Sequence, residues 1–99
     1  MAGEKDKIFK EMKSKGTLDQ LPILHGIPFS VKDMFGVKGT KSSLGSDTHL
    51  LDEINEDADL VKVLIDKGGI PFVKTNVPVL CFSYHSANHI FGTGENPWN

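Results

Sequence analysis

Between residues 27 and 74 the sequence follows a strand–helix–strand pattern, which leaves few folds open to it. In Ile27-Pro28-Phe29-Ser30-Val31-Lys32-Asp33, the apolar Ile27, Phe29 and Val31 alternate with Pro28, Ser30 and Lys32. A period of two predicts a strand with one apolar face, and the proline places it at a strand start or sheet edge. Further on, Ala58, Val61, Leu64 and Ile65 form an apolar helical stripe. Asn55 is an N-cap candidate, and Glu56, Asp57 and Asp59 suit the positive end of that helix. Lys67 fits the last turn and Gly68 the stop. Ile70-Pro71-Phe72-Val73-Lys74 then reads as a second strand. Strand, crossover helix and strand make a βαβ unit, hence a parallel pair in an α/β sheet. Thr75-Asn76-Val77-Pro78 follows as a turn at the C-terminal edge, where α/β proteins place ligand sites.

The flanking segments carry weaker signals. Residues 4–15 have helical spacing, with Ile8 and Met12 four apart and Gly16 as the stop. So few apolar residues support this helix that it is expected to be mobile or poorly packed. Lys5, Lys7, Lys10, Lys13 and Lys15 alternate with Glu4, Asp6 and Glu11, the pattern of a solvated face. Residues 18–24 read as a linker. Residues 36–48, rich in Gly, Ser, Thr and Lys, read as a long loop of the kind that is often functional. From Val79 onward, aromatic and polar residues follow no clear period.

With 99 residues, the chain holds one small domain at most. A net charge of −2 draws it to neither nucleic acid nor anionic lipid. Cys81 is the only cysteine, so an internal disulfide is impossible and a reducing compartment is expected. The opening residues have no apolar core of a secretory signal, and no stretch approaches a membrane span. The expected location is therefore intracellular, cytoplasmic or peripheral to membranes.

Lys32 is the sharpest candidate for chemistry. Its spacing fits two readings: a surface lysine on the solvated face of an edge strand, or a lysine held in a dry site. Desolvation disfavours an ammonium charge, so a lysine in a dry site can take a proton from a hydroxyl nucleophile. Spacing alone does not choose between them.

The wording around Lys32 adds a resemblance. Leu24-His25-Gly26-Ile27-Pro28-Phe29-Ser30-Val31-Lys32-Asp33 closely resembles the lysine-bearing segment of the amidase-signature family. Lys38-Gly39-Thr40 and Leu44-Gly45-Ser46 resemble the loop after it. Gly69-Ile70-Pro71-Phe72-Val73-Lys74-Thr75-Asn76-Val77-Pro78 resembles the next block. Phe82-Ser83-Tyr84, Phe91-Gly92 and Asn96-Pro97-Trp98 continue the series in order. The Thr-Asn-Val-Pro and Phe-Ser-Tyr wording is most similar to the animal fatty acid amide hydrolases. The fold implied is α/β: an incomplete fragment of the amidase-signature fold, with a βαβ unit of a mixed sheet. Residues 1–23 would be an N-terminal helix and linker, and residues 24–99 a partial signature domain.

The resemblance implies a Ser–Ser–Lys hydrolase that needs no cofactor. In that scheme one serine attacks an amide or ester carbonyl, and a second serine bridges it to the lysine, here Lys32. Backbone N–H groups of a glycine-rich loop hold the oxyanion. The implied substrate is a small-molecule amide with an apolar acyl group. Both family serines follow the Asn-Pro-Trp motif, and Ser30, Ser42, Ser43, Ser46, Ser83 and Ser86 lack the glycine-rich context. The expectation is a fragment truncated before its serines and inactive alone. The alternative is a non-catalytic interaction protein that pairs with a full-length relative through an exposed sheet edge. A third is a lipid-binding module built on residues 82–84. The subgroup is often membrane-associated, although this sequence encodes no anchor.

Other positions carry smaller expectations. By the same resemblance, Cys81 stands where the subgroup has a substrate-channel methionine, and Phe82 and Tyr84 match aromatic channel positions. A thiol there leaves a roomier pocket. The competing reading makes these ordinary core residues. His85 and His89 are four apart and could share a helical face, but no supporting ligand pattern favours a metal. Asp33, on the other strand face from Lys32, is expected to be structural. Lys41, Ser42 and Ser43 fit no phosphate-binding loop.

Overall fold

The computed structural model describes residues 1–47 and 53–98. Helix α1, Ala2–Lys15, is followed by a 3₁₀ turn at Leu18–Gln20. Strand β1, Pro28–Lys32, pairs in parallel with β2, Ile70–Thr75, and helix α2, Asp59–Asp66, crosses between them. A second 3₁₀ turn at Val79–Cys81 leads to a small antiparallel pair, β3 at Ala87–Asn88 and β4 at Gly92–Thr93. The expected βαβ unit is therefore present, in a mixed α/β structure.

The parallel pair is joined at its start by backbone bonds from the segment before β1. The Leu24 N–H donates to Lys67 O at 2.9 Å, Gly26 N–H to Gly68 O at 3.0 Å, and Ile70 N–H to Ile27 O at 2.9 Å. Pairing then shifts between Phe29 and Ser30, because Phe29 stands opposite Pro71 but Ser30 opposite Val73. Phe72 is the extra residue. Pro71 offers no N–H to a regular ladder, which is why a proline sits well at such a bulge.

The core is small. Val31, Val61 and Val77, with Pro78, are the buried apolar side chains among the described residues. Phe29, Val31, Val61 and Leu64 border one hollow of about 90 Å³, which places the stripe of α2 against β1. The helix is shorter at its start than the sequence implies. Its N-cap is Ala58, without a side-chain cap bond, so Asn55 does not cap it. Asp57 instead accepts the Lys38 N–H at 2.7 Å, tying the preceding loop to the helix start. That loop, expected over residues 36–48, is described to Asp47, and Thr48 lies outside the described residues. Lys41 in it bridges Glu53 in antiparallel fashion.

Helix α1 buries no residue, in keeping with its sparse apolar content. It ends as expected at Gly16, in the left-handed region at φ 70°. Its link to the rest includes a bond of 2.9 Å between Lys5 O and the His25 ring. The whole is open in shape. Its radius of gyration is 16.9 Å, where a compact chain of this length has about 13 Å. Its accessible surface is 7318 Å², against roughly 5,600 Å² for a compact monomer of this mass.

Gly68 is the point where α2 must turn tightly into β2. Its φ is +100°, and an added Cβ would lie 2.7 Å from the His25 Cα. Both the left-handed backbone and the close approach require glycine. Gly68→Ala is expected to cost at least about 2 kcal/mol, read as a lower urea midpoint or loss of the cooperative transition. An unchanged midpoint would contradict this packing.

Candidate functional site

The two strands end in a buried charge pair. Asp33 directly follows β1 and is 9% exposed. Lys74 faces it from β2, with its ammonium 2.8 Å from Asp33 Oδ1. Asp33 Oδ2 accepts the Ser43 N–H and hydroxyl, both at 3.1 Å, and the Leu44 N–H at 3.2 Å. Ser42 donates its hydroxyl to the Asp33 carbonyl. Lys74 also donates to Ser42 Oγ at 2.8 Å and to Lys41 O at 3.2 Å. One carboxylate and one ammonium thus hold the loop over the C-terminal end of the sheet. Sharing a strand face with buried Val31 is what puts Asp33 inside.

The clasped loop then meets the turn after β2. Leu44 lies in the left-handed region at φ 50°, and its carbonyl accepts the Leu80 N–H at 2.7 Å. Leu80 and Cys81 are left-handed as well, at φ 51° and 60°. Three non-glycine residues in that region are uncommon, and such strain gathers where surrounding contacts enforce it. An amide pair fixes the next segment. Asn88 donates to Asn76 Oδ1 at 2.6 Å and to Val77 O at 2.7 Å. Asn76 donates to Ser86 O and Gly92 O, both at 3.1 Å.

Lys32 lies at the end of β1, opposite Thr75 in the register, with Ser30 opposite Val73. Registered residues of a parallel pair share a face, so these four side chains stand together, away from Val31. All four are exposed. Asp33, Lys41, Lys74, Thr75, Asn76 and Phe91 line a hollow of about 340 Å³ at the same end of the sheet. Cys81 is half-buried, whereas Phe82 and Tyr84 are fully out in solvent, at 88% and 107% exposure. The reading of the two aromatics as core residues is thereby corrected: nothing in the described chain packs over them.

His85 and His89 do not share a helical face, because residues 87–93 form the β3–β4 turn. Asn88 folds that turn by accepting the Ile90 and Phe91 N–H groups. His89 instead lies 3.9 Å from Asp47. Lys74, Ser42, Ser43, Asn76 and Asn88 were not singled out from the sequence for these roles. The available signal was a pair of opposite charges at the matching ends of two apolar runs.

The environment of Asp33 has an acid-stability consequence. Burial alone raises its pKa. The Lys74 ammonium and the Ser43 donors more than offset this and hold it below the ordinary carboxylate value. Because the folded value is depressed, the contribution to stability is complete above the unfolded carboxyl value of about 3.9. It disappears as pH falls through the folded value. Urea midpoints measured across pH 2–6 should therefore fall below about pH 4, and Asp33→Asn should be less stable at pH 6 with a flatter profile. An unchanged acid limb in Asp33→Asn would contradict this assignment.

Comparison with known proteins places the chain. Residues 4–99 match the family described as amidase. The chain is 43% identical over 90 residues to Vitamin D3 hydroxylase-associated protein of Gallus gallus, covering 91% of this chain and 18% of that protein. It is 42% identical over 76 residues to Fatty-acid amide hydrolase 1 of Sus scrofa, covering 77% and 13%. With Fatty-acid amide hydrolase 2-B of Danio rerio it shares 36% over 100 residues, covering 99% and 19%. The chain thus spans less than a fifth of the length of these relatives. A solved structure also superposes, with a TM-score of 0.82 and 25% identity over 99% of this chain and 21% of that one. It is described as a vestigial protein complex that reveals the evolutionary origins of an s-triazine catabolic enzyme. No described helix is long and apolar enough to cross a membrane. The ordered motifs, the βαβ unit that carries them and the match over residues 4–99 agree: this chain belongs to the amidase family.

Proposed function

We propose that these residues are the lysine-bearing front segment of a Ser–Ser–Lys amide hydrolase, with Lys32 as its proton acceptor. The observation that carries this reading is the position of Lys32 at the C-terminal end of a parallel strand pair within a family match. Ligand sites of α/β sheets gather at that end. On this reading a neutral Lys32 amine takes the proton of the nucleophilic hydroxyl through a bridging serine, then returns it to the leaving amine. Its exposed face is where substrate and the two serines would meet it.

The nucleophile and the bridging serine are not among these 99 residues. Ser42 and Ser43 have their hydroxyls committed to Asp33. The small-molecule substrate would be a carboxylic amide with an apolar acyl group. Cys81, Phe82 and Tyr84 would border its channel, since they lie on the segment that follows β2, whose last residue Thr75 lines the 340 Å³ hollow. The thiol of Cys81 would leave that channel roomier than a longer side chain would.

A chimera tests the role of Lys32. Residues 24–98 replace the matching segment of the Danio rerio relative, and hydrolysis of a long-chain amide is followed. Lys32→Ala should lower kcat by about 10²–10⁴-fold while the urea midpoint stays unchanged, because Lys32 is exposed. Equal turnover by the two chimeras would sink the proposal. The 99-residue chain alone should not be labelled by a fluorophosphonate probe, and heat-sensitive labelling would equally count against it.

A further inference from the structure

The segment after β2 is tightly bonded along its backbone yet displays its aromatic side chains to solvent. Asn76 and Asn88 close it into a loop. Asn88 donates both amide N–H groups, to Asn76 Oδ1 at 2.6 Å and to Val77 O at 2.7 Å. Its Oδ1 accepts the Ile90 and Phe91 N–H groups at 3.0 and 2.8 Å. Asn76 donates both of its own to Ser86 O and Gly92 O, at 3.1 Å each. Both amides thus have every donor engaged, and the two ends of residues 77–86 are tied together. Inside the loop, the Cys81 N–H donates to Pro78 O at 2.9 Å, the Phe82 N–H to Val79 O at 3.2 Å, and the Leu80 N–H to Leu44 O at 2.7 Å. Leu80 and Cys81 are left-handed at φ 51° and 60°, a conformation that residues other than glycine keep only under constraint.

A backbone held this firmly ordinarily carries its apolar side chains into a core. Here it carries Phe82 and Tyr84 outward, at 88% and 107% exposure. Phe91, whose N–H the Asn88 amide holds, is 63% exposed. Phe91 and Asn76 line the 340 Å³ hollow that also reaches Thr75, the register partner of Lys32. Aromatics on a mobile loop must be ordered when an apolar chain binds them, whereas on a fixed loop that cost has already been met in folding. We infer that Asn76 and Asn88 are positioning residues for acyl-chain recognition. Their paired amides, with the left-handed turn at Leu80, fix the loop so that Phe82 and Tyr84 stand where a long apolar acyl group is bound. The inference rests on the amide-hydrolase reading above, and makes affinity for the acyl group depend on residues that do not touch it.

The chimera that carries residues 24–98 in the Danio rerio relative provides the test, with decanoyl and acetyl p-nitroanilide as substrates. Asn88→Asp keeps the size of the side chain and its acceptor for Ile90 and Phe91, but sets a carboxylate oxygen against Asn76 Oδ1 and Val77 O. It should raise KM for the decanoyl substrate by about tenfold or more, with kcat little changed and both constants for the acetyl substrate preserved. Leu80→Gly permits the left-handed turn without enforcing it. It should give the same selective rise in KM with little change in the urea midpoint. A clasp that merely supports the fold would instead lower turnover of both substrates together. A loss shared equally by the two substrates, a loss in kcat alone, or no loss on either in Asn88→Asp would overturn the inference. Should that variant not fold, Leu80→Gly decides by the same criterion. Lys32→Ala keeps the two proposals apart, because it should lower kcat on both substrates alike. A selective KM effect of Asn88→Asp beside unimpaired turnover by Lys32→Ala would refute the role of the lysine and leave the amide clasp standing.

Discussion

The contact between Asp33 and Lys74 fixes the loop and the turn that surround the end of the sheet. The two strands of the βαβ unit end side by side, and two opposite charges beside those ends, Asp33 just after β1 and Lys74 just before the end of β2, turn inward. The pair gathers Ser42, Ser43 and Leu44, and Leu44 in turn receives the Leu80 N–H. A single carboxylate thereby sets where the loop lies and where the turn toward Cys81 begins. Such a pair adds little net stability when both partners are compared with apolar residues. Removing one partner is different, because it leaves a charge or several donors without compensation in a poorly hydrated place.

The same constraint orders the candidate site. Consecutive residues of a strand point to opposite faces, so burying Asp33 sends Lys32 outward. The lysine then stands beside Thr75 at the end of the sheet, on a face the chain leaves open. The charged clasp is structural on one side, and the proposed proton acceptor is presented on the other. Neighbours in sequence thus have opposite fates, decided by the pleat and not by residue type.

Much of this was legible in the residues. The alternation of Ile27, Phe29 and Val31, the stripe of α2 and the Gly68 stop led to the parallel pair, because each reports a local periodicity. The start of α2 was misplaced: Asn55 looked like a cap, but Asp57 was already drawn to the Lys38 backbone and the helix begins at Ala58. The Asn76–Asn88 clasp was not legible, since it joins residues 12 apart through side-chain amides that have no period. Nor was the exposure of Phe82 and Tyr84. Aromatics read as core by default, and here nothing in the described chain covers them.

Asp33 and Lys74 act as a unit, and a double-mutant cycle measures how strongly. Urea unfolding of the parent, Asp33→Asn, Lys74→Met and the double variant at pH 6 gives their coupling. A favourable coupling of about 1–3 kcal/mol is expected, with the double variant more stable than the sum of the single losses implies. Strictly additive losses would contradict it.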